Sequence, residues 1–222
     1  MKVLIFTPDK NSPRSLEKGE RDFDGAFKPE SDRLAKLYPG AVVCRFDIDQ
    51  PDRDRRQQVL AALAANGSGV DLVAFLCHGW RTGIQAGFDV GTGVIALASG
   101  IGSVAAAKCR VALYACATAS GPNMGDTGFA DELRDRTGLQ VDAHSGVGHT
   151  TRWPGVIRFD AGPIATGGDW LVKPDYPELI GKKIPGSLYQ RWFDRLHDSD
   201  DMLRFRYPFM TRDQIAAELQ SR

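Results

Sequence analysis

Four short runs of unbroken apolar residues constrain this chain more than any other feature. They lie within KVLIFT (residues 2–7), AVVCRF (41–46), DLVAFL (71–76) and RVALYA (110–115). Successive side chains of a strand point to opposite faces, so a strand wetted on one face alternates apolar and polar residues. Runs without that alternation must be covered on both faces, which is the habit of parallel strands in an α/β sheet. LQVDAH (139–144) supplies a fifth such segment and GVIRF (155–159) a candidate sixth.

Helical patterns fall between these runs. Leu34, Leu37 and Tyr38 predict a helix over 31–38, stopped by Pro39-Gly40. Pro51 opens a second, with Val59, Leu60 and Leu63 on one face and Asn66-Gly67 at its end. The stretch from Gly79 to Gly102 holds seven glycines and reads as an irregular, mobile excursion beside a cleft. A short helix is expected over 103–108, and another over 127–137 with Phe129 and Leu133 on one face and Gly138 as its stop. Two apparent capping boxes, at Ser187 and Thr211, predict helices in the tail, the first burying Leu188, Trp192 and Leu196. The expected fold is a three-layer α/β/α sandwich with a mostly parallel sheet. It forms one domain over 1–222, with a core of about 1–160 and a C-terminal helical extension of about 161–222.

Composition narrows the function. Lys+Arg and Asp+Glu are both 28, so the formal net charge is zero, and no basic field exists for a nucleic-acid partner. The apolar start MKVLIF reaches Asp9 too soon for a signal-peptide core, and no run has the length of a membrane span. Cys44, Cys77, Cys109 and Cys116 show no metal-finger spacing. They read as free thiols in a reducing, cytoplasmic setting.

Two strand ends carry chemistry. DLVAFL runs into Cys77-His78-Gly79, and RVALYA into Cys116. Ligands of open α/β sheets bind beyond the carboxyl ends of the strands. If the third and fourth strands are neighbours, about 4.8 Å apart, His78 and Cys116 emerge together. A thiolate nucleophile and an imidazole that protonates a leaving amine support acyl transfer. Gly79 lets its backbone N–H approach a developing oxyanion without side-chain obstruction. Cys77, by alternation, faces away from His78. Cys44 and Cys109 read as packing residues. A zinc set drawn from Cys77, His78, Cys116 and His144 or His149 is disfavoured because the adjacent Cys77 and His78 point apart. GTGVIALASGIGS lacks the strand-to-GxGxxG context of a phosphate loop, and AHSGVG lacks the serine-hydrolase elbow.

The pairing of an apolar run ending in His-Gly (LVAFLCHG) with one ending in Ala-Cys (VALYAC) resembles the caspase-like cysteine peptidases, clan CD. The 38 residues from His78 to Cys116 are fewer than the roughly 50 of caspases, so the compact bacterial, CHAT-type members are the nearer likeness. The resemblance implies a His78–Cys116 dyad acting on protein or peptide substrates with no cofactor and no metal. It also implies that Asp9, after the first strand, and His144-Ser145, after the fifth, stand where the family builds its substrate pocket. The other expectation kept open is a caspase-like scaffold that binds a partner and cuts nothing, since fold alone does not fix function. Its docking surface would be the aromatic tail, with Trp170, Trp192, Phe193, Phe205 and Phe209. Oligomeric state is not legible.

Overall fold

The computed structural model describes residues 1–10, 27–119, 128–144, 156–159 and 170–172. The strands are β1 (Val3–Pro8), β2 (Val42–Phe46), β3 (Val70–Leu76), β4 (Gly79–Trp80), β5 (Gly83–Ile84), β6 (Phe88–Asp89), β7 (Ala105–Tyr114), β8 (Gln140–His144), β9 (Val156–Phe159) and β10 (Trp170–Val172). The helices are α1 (Lys28–Leu37), α2 (Asp52–Asn66), α3 (Thr92–Val104) and α4 (Phe129–Thr137).

The main sheet has the order β2-β1-β3-β7-β8-β9-β10. The first five strands are parallel, and β9 and β10 add antiparallel at the far edge. The fold is therefore α/β with a mostly parallel sheet. The chain lays β2 on one side of β1 and then β3 on the other, so the order switches between β1 and β3. Crevices at the carboxyl edge of such a switch are the usual ligand sites of open α/β sheets.

Side-chain alternation divides the core in two. One face presents Leu4, Phe6, Val73, Phe75, Val111, Leu113, Val141 and Ala143 to Val59 and Leu63 of α2, Leu97 and Ile101 of α3, and Phe129 and Leu133 of α4. Phe6 and Phe75 stack there with ring centroids 5.0 Å apart. The other face presents Val3, Ile5, Leu72, Ala74, Leu76 and Ala112 to Leu34 of α1 and to Tyr38. Helices thus cover both faces, as the unbroken apolar runs require.

Two expectations need correction. Residues 79–102 are not irregular. They form the small antiparallel sheet β4-β5-β6, and then most of α3. The register of the short strands is Gly79↔Ile84, Trp80↔Gly83 and Ile84↔Phe88. In α3 the glycines serve close packing: a Cβ on Gly100 would stand 2.8 Å from Leu60 and 3.1 Å from Leu63 of α2. A helical glycine costs about 1 kcal/mol against alanine. Burying Val94, Leu97, Ile101 and Val104, at about 1.5–3 kcal/mol for a large aliphatic side chain, outweighs that.

The second correction concerns 103–108. Ala105–Lys108 begin β7 rather than a helix. Ala105 pairs with Val70, and the register shifts between Val70 and Leu72. Tertiary pairing overrides the helical preference of Ala and Lys.

Elsewhere the differences are at boundaries. α1 begins three residues before Ser31, which is buried and donates its hydroxyl to the Lys28 carbonyl at 2.9 Å. Gly138 ends α4 in the left-handed conformation, its N–H donating to Arg134 O at 2.7 Å. Trp170, counted above with the aromatic tail, opens the edge strand β10. The tail helices expected from Ser187 and Thr211 lie outside the described residues. Among the described residues no helix is long and apolar enough to cross a membrane.

Candidate functional site

The register of β3 on β7 runs from Leu72↔Arg110 to Leu76↔Tyr114. Two residues further on, it sets His78 opposite Cys116. Both then fall on the α1 face, because Leu76 and Ala112 lie there and side chains repeat every second residue. The chain segments stay in contact past the strand ends. A Cβ on Gly79 would meet Ala115 Cβ at 2.7 Å, the Cys116 carbonyl oxygen at 2.8 Å and Thr118 Cγ2 at 2.9 Å. Only glycine allows this approach, so the His-Gly step is pressed against the Ala-Cys step. His78 and Cys116 are each partly exposed at this rim.

Gly79 has a further property. The Gln85 N–H donates to the His78 carbonyl at 2.9 Å, so in the antiparallel ladder the facing residues Gly79 and Ile84 form a non-hydrogen-bonded pair. The β4–β5 hairpin leaves the Gly79 N–H unclaimed.

His78 is held at its backbone and at its ring. Its N–H donates to Gln85 Oε1 at 3.2 Å, its carbonyl accepts from Gln85, and Phe27 meets the imidazole edge-on at 5.2 Å. The turn carrying Cys116 is also anchored. Thr118 Oγ1 donates to Ala115 O at 3.0 Å, Ala119 N–H to His144 O at 3.0 Å, and Ala130 N–H to Thr118 O at 3.0 Å. Ala117 has φ 56°, a left-handed conformation that L-residues adopt at a cost. Such backbone tends to persist where its surroundings over-determine it.

The four cysteines form no disulfide, and they differ sharply. Cys77 is fully buried in the face under α2, α3 and α4. Burial pushes its thiol up to about 12, although the Ala86 and Gln85 N–H groups point at it. Cys109 is pushed to about 12 by burial and then by Asp71. Burial also raises Cys44. These three resist ionisation, the state that nucleophilic attack needs. With Cys77 and His78 on opposite faces, the adjacent pair cannot chelate one ion.

The remaining predicted residues are more dispersed. Asp9 comes level with His78 when the β1–β3 register, Phe6↔Phe75, is continued. Its carboxylate, however, accepts from Ile48 N–H at 3.1 Å, and its own N–H donates to Phe46 O at 3.0 Å. It closes the turn after β2. His144 ends β8, and its carbonyl supports the Cys116 turn. Ser145 and His149 lie outside the described residues. Sequence reasoning missed Gln85, Phe27 and Thr118. Gln85 alone left a trace, a lone amide set between Ile84 and Ala86. Comparison with protein-family models, with curated proteins and with solved structures finds no match.

Proposed function

We propose that the protein is a cysteine endopeptidase of the caspase-like kind, with Cys116 as nucleophile and His78 as general acid–base. The observation that carries this reading is that the strand register sets His78 opposite Cys116 at one edge of adjacent parallel strands, with Gly79 pressed against Ala115 and the Cys116 carbonyl. The Cys116 thiolate adds to the scissile carbonyl, and the oxyanion accepts from the Gly79 N–H that the hairpin leaves unclaimed. Collapse of the adduct breaks the C–N bond as His78 protonates the departing amine, leaving a thioester on Cys116. His78, now neutral, takes a proton from water. The hydroxide equivalent attacks the thioester, releasing the carboxylic acid and the Cys116 thiolate beside the reprotonated His78, which restores the starting pair. Substrates are proteins or peptides. No step uses a cofactor.

Cleavage of a mixed-sequence peptide library by wild type, Cys116→Ala and Cys77→Ala, read by mass spectrometry, tests this. Cuts lost with Cys116→Ala and kept with Cys77→Ala are expected. Cuts that survive Cys116→Ala would end the proposal. With no cuts from any form and Cys116 alkylating as slowly as Cys77, a binding scaffold would be the better reading.

A further inference from the structure

Two polar side chains near the rim, Gln85 and Arg55, have no part in the reaction above, yet both are largely withdrawn from solvent. Gln85 is 8% exposed and Arg55's side chain 14%. Gln85 clasps the His78 peptide from both sides, taking its N–H on Oε1 at 3.2 Å and giving its own N–H to the His78 carbonyl at 2.9 Å. An interior glutamine that satisfies a strand-end peptide fixes the direction in which the next side chain leaves the sheet. Arg55, on α2, fixes Gln85 in turn. Its Nε donates to the Gln85 carbonyl at 2.8 Å, while its Nη1 donates to Ile48 O at 3.2 Å and to Gln50 O, and its Nη2 pairs with Asp52. The guanidinium therefore rivets the β5–β6 turn to the loop after β2. The same turn packs closely on the start of α2, where a Cβ on Gly87 would run into the Asp52 carbonyl oxygen. Three carbonyls and a carboxylate in fixed directions suit the planar fork of arginine and not the point charge of lysine.

We propose that Gln85, braced by Arg55, is the positioning residue for His78, holding its backbone so that the imidazole projects toward Cys116. This rests on the dyad reading only for its catalytic consequence. The clasp itself is a statement about His78.

The test uses the full chain and two readouts on wild type, His78→Ala, Gln85→Leu, Gln85→Glu and Arg55→Lys. The first readout is the His78 imidazole Cε1–H resonance. It is one of only four histidine signals, assigned as the one lost in His78→Ala. The second is the iodoacetamide alkylation rate of Cys116 at pH 7, mapped by mass spectrometry, with thermal unfolding to show that each variant is folded. Gln85→Leu removes the acceptor and is expected to broaden or split the His78 resonance and to slow Cys116 alkylation about tenfold. Gln85→Glu restores an acceptor at the same place, and the single resonance and most of the rate should return, which recovered packing alone would not produce. Arg55→Lys should fall between. A His78 resonance in Gln85→Leu superimposable on wild type overturns the positioning role. If the resonance responds as expected while His78→Ala leaves the Cys116 rate unchanged, the clasp stands and the dyad falls.

Discussion

Under α2, α3 and α4 the sheet shows Leu4, Phe6, Val73, Phe75, Cys77, Val111, Leu113, Val141 and Ala143, all buried and all apolar. The α1 face begins in the same way with Val3, Ile5, Leu72 and Ala74. It then admits polar groups: Arg110 paired with Asp142 at 2.8 Å, Gln140 hydrogen-bonded to Asp142, and the buried Thr7, whose hydroxyl finds no partner among the described residues. Asp9, His78 and Cys116 belong to this second face by register. One face makes a frame, and the other displays groups at its carboxyl edge. Alternation draws the boundary one residue wide. Cys77 and His78 are neighbours in sequence, yet one is a packing residue with a thiol pushed to about 12 and the other stands at the rim.

The frame should break first and hardest. Phe75 is fully buried and stacked on Phe6, so Phe75→Ala is expected to cost about 3–5 kcal/mol in urea unfolding. A loss under 1 kcal/mol would mean that this face is not the principal core. Gly79→Ala acts at the boundary between frame and rim. Its methyl would meet three atoms at under 3.0 Å, two of them on Ala115 and Cys116. Overpacking of this kind costs about 1–3 kcal/mol. The larger consequence is expected at the rim, where Cys116 alkylation and any peptide cleavage should fall more than tenfold. Wild-type rates in a stably folded Gly79→Ala would show that the close approach does not matter to the chemistry.

Thiol ionisation separates the faces without mutation. In the folded protein Cys77 and Cys109 titrate near 12, against about 8.5 for an unfolded cysteine. The folded state therefore holds these protons where the unfolded state has released them. Stability from this source is complete below about pH 8.5 and declines as pH rises toward 12. At pH 8, alkylation followed by peptide mapping should find both thiols unmodified long after Cys116 has reacted. Denaturant midpoints should fall between pH 9 and 11. A midpoint flat across that interval would place both thiols in far wetter surroundings.

The frame was largely legible in the sequence because unbroken apolar runs have one explanation. KVLIFT, AVVCRF, DLVAFL and RVALYA each fall on an observed parallel strand, and Gly67 and Gly138 both close helices. The reading failed where glycine was taken as a sign of disorder. Val94, Leu97, Ala98, Ile101 and Val104 hold a helical period through the glycines of α3, and that period was the signal. At 103–108 the sequence carried no warning, since Ala and Lys favour helix until β3 offers a partner. The site was legible only as residue types. Strand ends could be aligned from sequence, but not the clasp of Gln85, the edge of Phe27 or the approach of Gly79, which depend on chain segments folding back from elsewhere.

The smallest expected effect is at Ala117, and it separates strain in the rim from relaxation in the frame. Ala117 is the one non-glycine residue with positive φ among the described residues, directly after Cys116. A Cβ in that conformation costs about 1–2 kcal/mol, which Ala117→Gly removes. Glycine also enlarges the unfolded ensemble, at about 0.4–1 kcal/mol. The first term exceeds the second by about 0–1.6 kcal/mol, so the variant should be unchanged or slightly more stable than wild type. The turn is closed by the Thr118 hydroxyl and held from outside by His144 and Ala130, so Cys116 should keep its position and its alkylation rate within about threefold. A stabilisation well above about 2 kcal/mol would mean that the turn is poorly supported and that the methyl itself is strained. A large fall in rate at unchanged stability would mean that the methyl, and not the surrounding hydrogen bonds, directs the thiol toward His78.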